Sequence, residues 1–95
     1  MGRNIVNMDK IKEFENKEKI LQDLEYNLIC DFIKLRKDNK LSQQKLANEA
    51  NIIREMVAKI ENHLVSPQIK TLIKILEPLG YTLKIEKIKE EDKKC

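Results

Sequence analysis

Apolar positions in the middle of the chain follow two short runs of helical spacing separated by a short break. Leu46, Ala47 and Ala50 share one face of the first run, and Val57 and Ile60 lie three residues apart in the second. This spacing is typical of helices that bury one stripe and expose the other. Because neither run can bury its stripe alone, the pattern predicts two short helices that are packed together and covered by another element.

Two residues mark the boundaries of these helices, and a third allows them to cross. The Ser42 hydroxyl can accept a hydrogen bond from a free backbone N–H of the first turn, and the first helix should therefore start there. Asn51 tolerates a left-handed backbone better than most residues, which predicts a tight turn over residues 51–53 and a second helix that begins at Arg54. Ala47 is small enough to let the two helices cross closely. Two short helices joined in this way form a helix-turn-helix.

Helical spacing also runs through the segment before this motif. It extends from Lys17 to about Asp38, and the sequence predicts a separate helical turn over residues 9–16 and allows a break near Asp23. Part of the longer helix should cover the two short ones. The apolar positions that keep the spacing are Ile20, Leu21, Leu24, Leu28, Ile29, Phe32, Ile33 and Leu35.

A further helix is predicted after the motif. Ser66 and Pro67 open it, because Pro is tolerated in a first helical turn, and Pro78 ends or bends it, because Pro removes a backbone donor. The predicted buried stripe of this helix is Ile69, Leu72, Ile73, Leu76 and Leu79.

The hydrophobic period changes from helix to strand after Gly80. Tyr81, Leu83 and Ile85 alternate with polar residues, which predicts a single β-strand. One strand leaves its backbone groups unpaired, so the strand should pair with another molecule. Two copies that pair across a two-fold axis would satisfy it.

The composition narrows the fold class. The 95 residues make one small domain, in which 37% of the residues are charged and 4% are aromatic. These values favour a mainly α-helical, soluble protein over a β-sandwich or barrel. The net charge of +3 is weak support for nucleic-acid binding. No segment is strongly basic, so a basic patch must come from the three-dimensional arrangement.

Few residues of the chain could carry catalysis or bind a metal. Cys30 and Cys95 form neither a disulfide framework nor a metal motif, and the single His63 cannot complete one. The sequence has no nucleophile paired with a base and no glycine-rich phosphate loop, so we expect no cofactor and no enzymatic activity. A secretion leader and a run of about 18 apolar residues are both missing, so we expect a cytoplasmic location without membrane contact.

Four short motifs of the chain occur together in one known family. Ser42-Gln43 opens the first short helix, Leu46-Ala47 lies within it, Ile60-Glu61-Asn62 ends the second, and a leucine-rich helix from Leu72 to Gly80 follows Pro67. From about Ile29 to Lys87 the chain resembles the helix-turn-helix family of phage repressors (the XRE/Cro type), and especially the HigA-type antitoxins of toxin–antitoxin pairs.

The resemblance implies a fold and its boundaries. It implies a five-helix, lambda-repressor-like DNA-binding domain over residues 28–80 and an N-terminal helical extension over residues 1–27. Residues 81–95 would form a C-terminal dimerisation strand and a charged tail. His63 stands where the family usually has a Gly, so it should take the left-handed conformation that ends the preceding helix.

The same resemblance implies which residues meet double-stranded operator DNA. The second short helix would lie in the major groove, where Arg54 could pair with guanine and Glu55 with cytosine. The N-terminus of the first helix would face phosphate. Alternatively, Arg54 and Lys59 belong to an ordinary solvated face. The implied DNA contacts are Ser42, Gln43, Arg54, Glu55, Lys59 and Asn62.

The N-terminal extension resembles the segment with which HigA-type antitoxins help to hold a toxin. An amphipathic arm of this kind can lie in a groove of a partner protein. The alternative is that the arm packs on its own domain. The C-terminal strand, in turn, could pair with the toxin and not with a second copy. The residues assigned to toxin binding are Phe14, Ile20, Leu21, Leu24 and Tyr26.

Besides His63, four positions depart from the family pattern and leave three functions open. Ile53 replaces the usual Ser or Thr cap, Glu55 brings a negative charge towards phosphate, and Leu64 and Val65 replace polar residues. The first function is an antitoxin that neutralises a HigB-like ribonuclease toxin and represses its own operon as a homodimer. The second is a stand-alone repressor, and the third is an interaction module that has lost DNA binding.

Overall fold

The computed structural model describes the backbone of residues 8–88 and the side chains of residues 15–88. The predicted toxin contact at Phe14 and the charged tail from residue 89 onwards lie outside these described side chains. The helices are α1 (Met8–Asp38), α2 (Gln43–Ala50), α3 (Arg54–Glu61) and α4 (Ile69–Leu76), and a short 3-10 helix follows at Glu77–Leu79. We expected five helices. The described part of the chain has four α-helices and one short 3-10 helix.

The helix α1 is continuous over 31 residues. The prediction of a separate turn over residues 9–16 was therefore wrong, and the break that the sequence allows near Asp23 does not occur. The segment contains no Gly or Pro to interrupt it. Lys19 and Asp23, one turn apart, approach to 4.0 Å across the expected break. The pair is solvent-exposed enough to add little stability, but its geometry requires an unbroken helix at this point.

The core lies where α1 covers the helix-turn-helix. Ile29 and Phe32 on α1 are buried, and α1 packs against α3. The predicted inward positions of the two short helices, Leu46, Ala47, Ala50, Val57 and Ile60, are all buried, as the spacing predicted. The remaining buried apolar residues are Leu72, Ile75, Leu76 and Leu79.

The orientation of α4 differs from the prediction. The helix begins at Ile69, so Pro67 precedes the first turn and does not lie within it. Ile69 is 70% exposed and Ile73 is 41% exposed, whereas Ile75, which was not in the predicted stripe, is fully buried. The apolar residues of α4 form one broad arc, and α2 and the core bury only the part of it that carries Leu72, Ile75 and Leu76. Spacing alone identifies the arc but not which of its edges is buried.

Residues 81–88 form neither helix nor strand in the described single chain. Gly80 ends the 3-10 helix with a left-handed φ of 84°, and the Tyr81 N–H donates to the Leu76 carbonyl at 3.1 Å. Leu83 packs against the core, whereas Ile85 is 98% exposed. Because a strand is defined by pairing with a second strand, the pairing of Tyr81, Leu83 and Ile85 stays a prediction.

Candidate nucleic-acid interface

Local hydrogen bonds set the geometry between α2 and α3. The Ser42 hydroxyl accepts from the Lys45 N–H at 3.0 Å and caps α2, as predicted. Asn51 has φ 61° and ψ 44°, the predicted left-handed conformation. The Ile52 N–H then donates to the Ala47 carbonyl at 3.0 Å, which closes the turn. These contacts place the N-terminus of α3 directly after the C-terminus of α2.

The start of α3 has no side-chain cap. Ile53 occupies the cap position and makes no side-chain hydrogen bond, as the sequence predicted, and only its carbonyl is used, by the Met56 N–H at 3.0 Å. Ile53 is also 65% exposed. The missing cap typically costs about 1 kcal/mol of stability.

A buried ion pair joins α1 to the last turn of α3. Arg36 Nε donates to Glu61 Oε2 at 2.6 Å and Arg36 Nη2 donates to Glu61 Oε1 at 3.0 Å, and their side chains are 10% and 7% exposed. A third donor, Arg36 Nη1, reaches the Leu41 carbonyl at 2.7 Å and fixes the entry to α2. Two parallel hydrogen bonds between a guanidinium and a carboxylate restrict orientation strongly.

Sequence reasoning missed this pair. In the sequence, Glu61 is part of a family motif and Arg36 belongs to no motif. A signal was nonetheless present, because Arg36 lies one turn after Phe32 and Glu61 lies one turn after Val57, on the apolar faces of their helices. Two opposite charges on two buried faces suggest an ion pair, because an unpaired buried charge is costly.

Gln43 connects the ion pair to the outer surface. Its side-chain Nε2 donates to Glu61 Oε1 at 2.9 Å, and its Oε1 accepts from Arg54 Nη1 at 3.4 Å. Only the NH₂ group of the Gln43 amide can donate to the Glu61 carboxylate. The amide oxygen of Gln43 therefore points to the other side, towards Arg54. A chain of contacts thus runs from Arg36 through Glu61 and Gln43 to Arg54.

The remaining predicted DNA contacts lie on the exposed side of this motif. Arg54, Glu55 and Lys59 are exposed on α3, and Asn62 is the exposed C-terminal cap of that helix. Gln43 and Arg54 touch each other, whereas no hydrogen bond or ion pair within the described side chains joins the other predicted positions. The exposed face of α3 is of mixed charge, because Glu55 lies between the cations Arg54 and Lys59.

The N-terminal arm is attached to the domain at Tyr26. The Tyr26 ring stacks on the His63 ring with a centroid distance of 4.3 Å and an angle of 20°. His63 has the left-handed φ of 59° that we expected. At this position the arm packs on its own domain, which was the alternative to toxin binding. Among the other assigned arm residues, Ile20 and Leu24 are half-buried and Leu21 is exposed.

No group of His, Cys, Asp and Glu side chains between residues 15 and 88 could hold a metal ion. In the same part of the chain, no helix combines the length and the apolar character needed to span a bilayer.

Comparisons with known proteins agree with this geometry. A family model described as helix-turn-helix matches residues 32–85, which are more than half of the chain. A protein of Haemophilus influenzae that carries the name uncharacterized HTH-type transcriptional regulator is 38% identical over 78 residues, covering 77% of this chain and 80% of that protein. No solved structure matches the chain significantly. The matched region contains α2, α3 and α4 in full, and on these grounds the chain belongs to the helix-turn-helix family.

Proposed function

We propose that this protein represses transcription by binding operator DNA with α3 in the major groove. The observation that carries the proposal is the exposed guanidinium of Arg54 at the N-terminus of α3, which Gln43 contacts at 3.4 Å. Residues at that end of a recognition helix meet base edges. The 38% identical relative is named as a transcriptional regulator, which supports the same role.

Arg54 is suited to read guanine. Its contact with Gln43 uses one nitrogen at 3.4 Å, and a guanidinium has five N–H donors, so two parallel donors stay available for guanine O6 and N7. Glu55, next along the helix, could accept from the amino group of cytosine. Lys59 lies one turn further and would reach the backbone or a third base.

Phosphate contacts would come from both ends of the motif. Gln43 keeps one amide N–H after donating to Glu61, and this donor lies at the N-terminus of α2, where backbone N–H groups also favour an anion. Ser42 lies beside it, and Asn62 at the other end of α3 would touch the backbone again. These contacts would position α3 without reading sequence.

DNA binding can be tested with the DNA immediately upstream of the protein's own gene. Binding should weaken linearly in a plot of log K against log salt, because cationic side chains displace counterions from phosphate. A scrambled fragment of the same length should bind more weakly at every salt concentration. Equal binding to both fragments would contradict operator recognition. No binding to either fragment would favour the third function, the interaction module, which the exposed Glu55, Leu64 and Val65 support.

We further propose that the protein acts as a homodimer and as the antitoxin of a HigB-like ribonuclease toxin. The resemblance to HigA-type antitoxins supports this, as does the exposed Leu21 on the N-terminal half of α1. The C-terminal segment offers a second surface, because Ile85 is exposed and a partner strand could pair beside it. Stand-alone repression is the alternative, and it differs only in lacking the toxin.

Co-expression with the neighbouring reading frame separates these two functions. An antitoxin should relieve the growth arrest caused by that gene and should co-purify with its product. Leu21→Glu tests the arm and Ile85→Glu tests the C-terminal segment, since each places one charge at an exposed apolar site. If both variants and the wild type fail to relieve arrest while operator binding is intact, the stand-alone repressor is the correct function.

A further inference from the structure

A groove lies between α1 and residues 81–86, and its volume is about 530 Å³. Phe32 and Leu76 are buried at its floor, whereas Tyr81 at its edge is 53% exposed. A concave, mainly apolar surface of this size is typical of a binding site. We call this feature the α1 groove, and its apolar lining consists of Leu28, Phe32, Leu35, Leu76, Tyr81 and Leu83.

The apolar surface of the α1 groove continues along α1 towards the N-terminus. Leu21 and Leu24 precede Leu28 by seven and four residues, which places the three side chains on one side of the helix. Leu21 is 61% exposed, and Leu24 is half-buried. From Leu21 to Leu35 this surface is about 21 Å long. A surface of that length suits an elongated occupant, such as a helix, better than a compact small molecule.

The rim of the α1 groove is acidic. Asp31, Asp38 and Glu86 line it, and Lys34 is the one cation among the lining residues. All four are exposed, and none is in an ion pair within the described side chains. The lining therefore has a net charge of −2, whereas the whole chain has +3. The neighbouring cations that do not line the groove are Lys37, Lys84 and Lys87.

We propose that the α1 groove binds a basic amphipathic helix of a partner protein. The apolar face of such a helix would lie on Leu28, Leu35 and Tyr81, as helices do in other apolar grooves. Its Lys or Arg side chains would reach Asp31 and Asp38, because complementary charges at a rim select the partner. A phosphate backbone would be repelled by the same carboxylates.

The α1 groove is separate from the proposed DNA surface, since none of the predicted DNA contacts lines it. A partner helix and operator DNA would therefore use different parts of the domain. The inference deepens the proposed antitoxin role, and it rests on that role in that a toxin would supply the helix.

Isothermal titration calorimetry of the full chain with two synthetic peptides tests the inference. Each peptide has about 14 residues, the length of the apolar surface, with Leu on one helical face. The other face has Lys in the first peptide and Glu in the second. The Lys peptide should bind at least tenfold more tightly than the Glu peptide. Equal affinities, or no binding of the Lys peptide, would overturn the inference.

Single charge changes locate the binding site of the Lys peptide. Asp31→Asn should weaken binding at least threefold, and Lys34→Gln should strengthen it about twofold, because the two changes alter the rim charge in opposite directions. Glu49→Gln, at an exposed position on α2, removes the same charge outside the groove and should leave the affinity unchanged. Equal weakening by Asp31→Asn and Glu49→Gln would mean that only net charge attracts the peptide.

The apolar contact is tested at the edge of the α1 groove. Tyr81→Ala should weaken binding of the Lys peptide at least threefold, because it removes apolar surface from the groove. Ile85→Ala is the matched control, since Ile85 is 98% exposed in the same segment and does not line the groove. Circular dichroism checks that each variant folds. A wild-type dimer that Asp31→Asn dissociates in sedimentation equilibrium would mean that a second copy fills the groove, and would also overturn the inference.

The α1 groove and the antitoxin role fail separately. If the product of the neighbouring reading frame does not co-purify with the wild type, the toxin is refuted, while the peptide affinities still decide whether the groove binds a basic helix. If that product co-purifies equally with the wild type, Asp31→Asn and Tyr81→Ala, the toxin lies elsewhere and the groove is refuted as its site. Loss of co-purification in both variants, with Glu49→Gln unaffected, supports the inference.

Discussion

Gln43, the first residue of α2, and Arg54, the first residue of α3, touch through their side chains across 11 residues of sequence. The amide that makes this contact is itself held by Glu61 at 2.9 Å, and Glu61 is held by Arg36. The buried ion pair is therefore linked through Gln43 to an exposed side chain two contacts away, the last contact being a long one of 3.4 Å. Stability and DNA reading should be coupled in this protein through Gln43.

Removing one partner of the buried pair should destabilise the fold severely. Glu61→Ala leaves the Arg36 guanidinium buried without its carboxylate, and such a change typically costs about 3–5 kcal/mol of unfolding free energy. Urea denaturation followed by circular dichroism measures the loss. Glu49→Ala, at an exposed position on α2, is the control and should change stability by less than about 0.5 kcal/mol. A loss at Glu61 as small as that of the control would show that the pair is dispensable.

Truncating the proposed reading residue should weaken DNA binding and leave the fold intact. Arg54→Ala should cost about 1–3 kcal/mol of binding free energy and relax the preference at one base pair, because the two donors to guanine are lost. Fluorescence anisotropy with single-base variants of the bound fragment measures both effects. Arg54→Lys, which keeps the charge, should restore salt-dependent affinity but not the base preference. Uniform weakening over all base variants would make Arg54 a phosphate contact.

Gln43 and Arg54 should act as a unit in DNA binding. The losses from Gln43→Ala and Arg54→Ala should not add in the double variant, and a coupling free energy of about 0.5–3 kcal/mol is expected for side chains in one network. The matched control is Gln44→Ala combined with Arg54→Ala, because the Gln44 amide donates to Asn48 on the exposed side of the same helix. Additivity within about 0.5 kcal/mol for both pairs would mean that Gln43 does not orient Arg54.

Restoring a cap at α3 should stabilise the protein. Ile53 is exposed at the cap position, so Ile53→Ser removes little buried apolar surface and supplies an acceptor for the free N–H groups of the first turn. We expect a gain of about 1 kcal/mol in unfolding free energy. Ile53→Ala lacks the acceptor and should give no such gain, and a stabilisation shared by both variants would exclude capping as the cause.

The helix-turn-helix itself was determined by local signals in the sequence. Ser42 caps α2, Asn51 adopts the left-handed turn and Ala47 lies fully buried where the helices cross, because each of these roles depends on a residue and its near neighbours. The uncapped start of α3 could be predicted in the same way. The order of the later helices also follows from apolar spacing, although α1 proved to be unbroken.

The tertiary structure decided the relationships between distant residues. No local rule brings Arg36 to Glu61 across 25 residues, or turns the oxygen of Gln43 towards Arg54. It also decided that Ile75 faces the core while Ile69 and Ile73 face solvent, because the neighbouring helices cover only one edge of the broad apolar arc of α4. Hydrophobic period fixes where a helix forms and which residues it can bury. Which of them it does bury, and which charges meet, depends on how the helices pack.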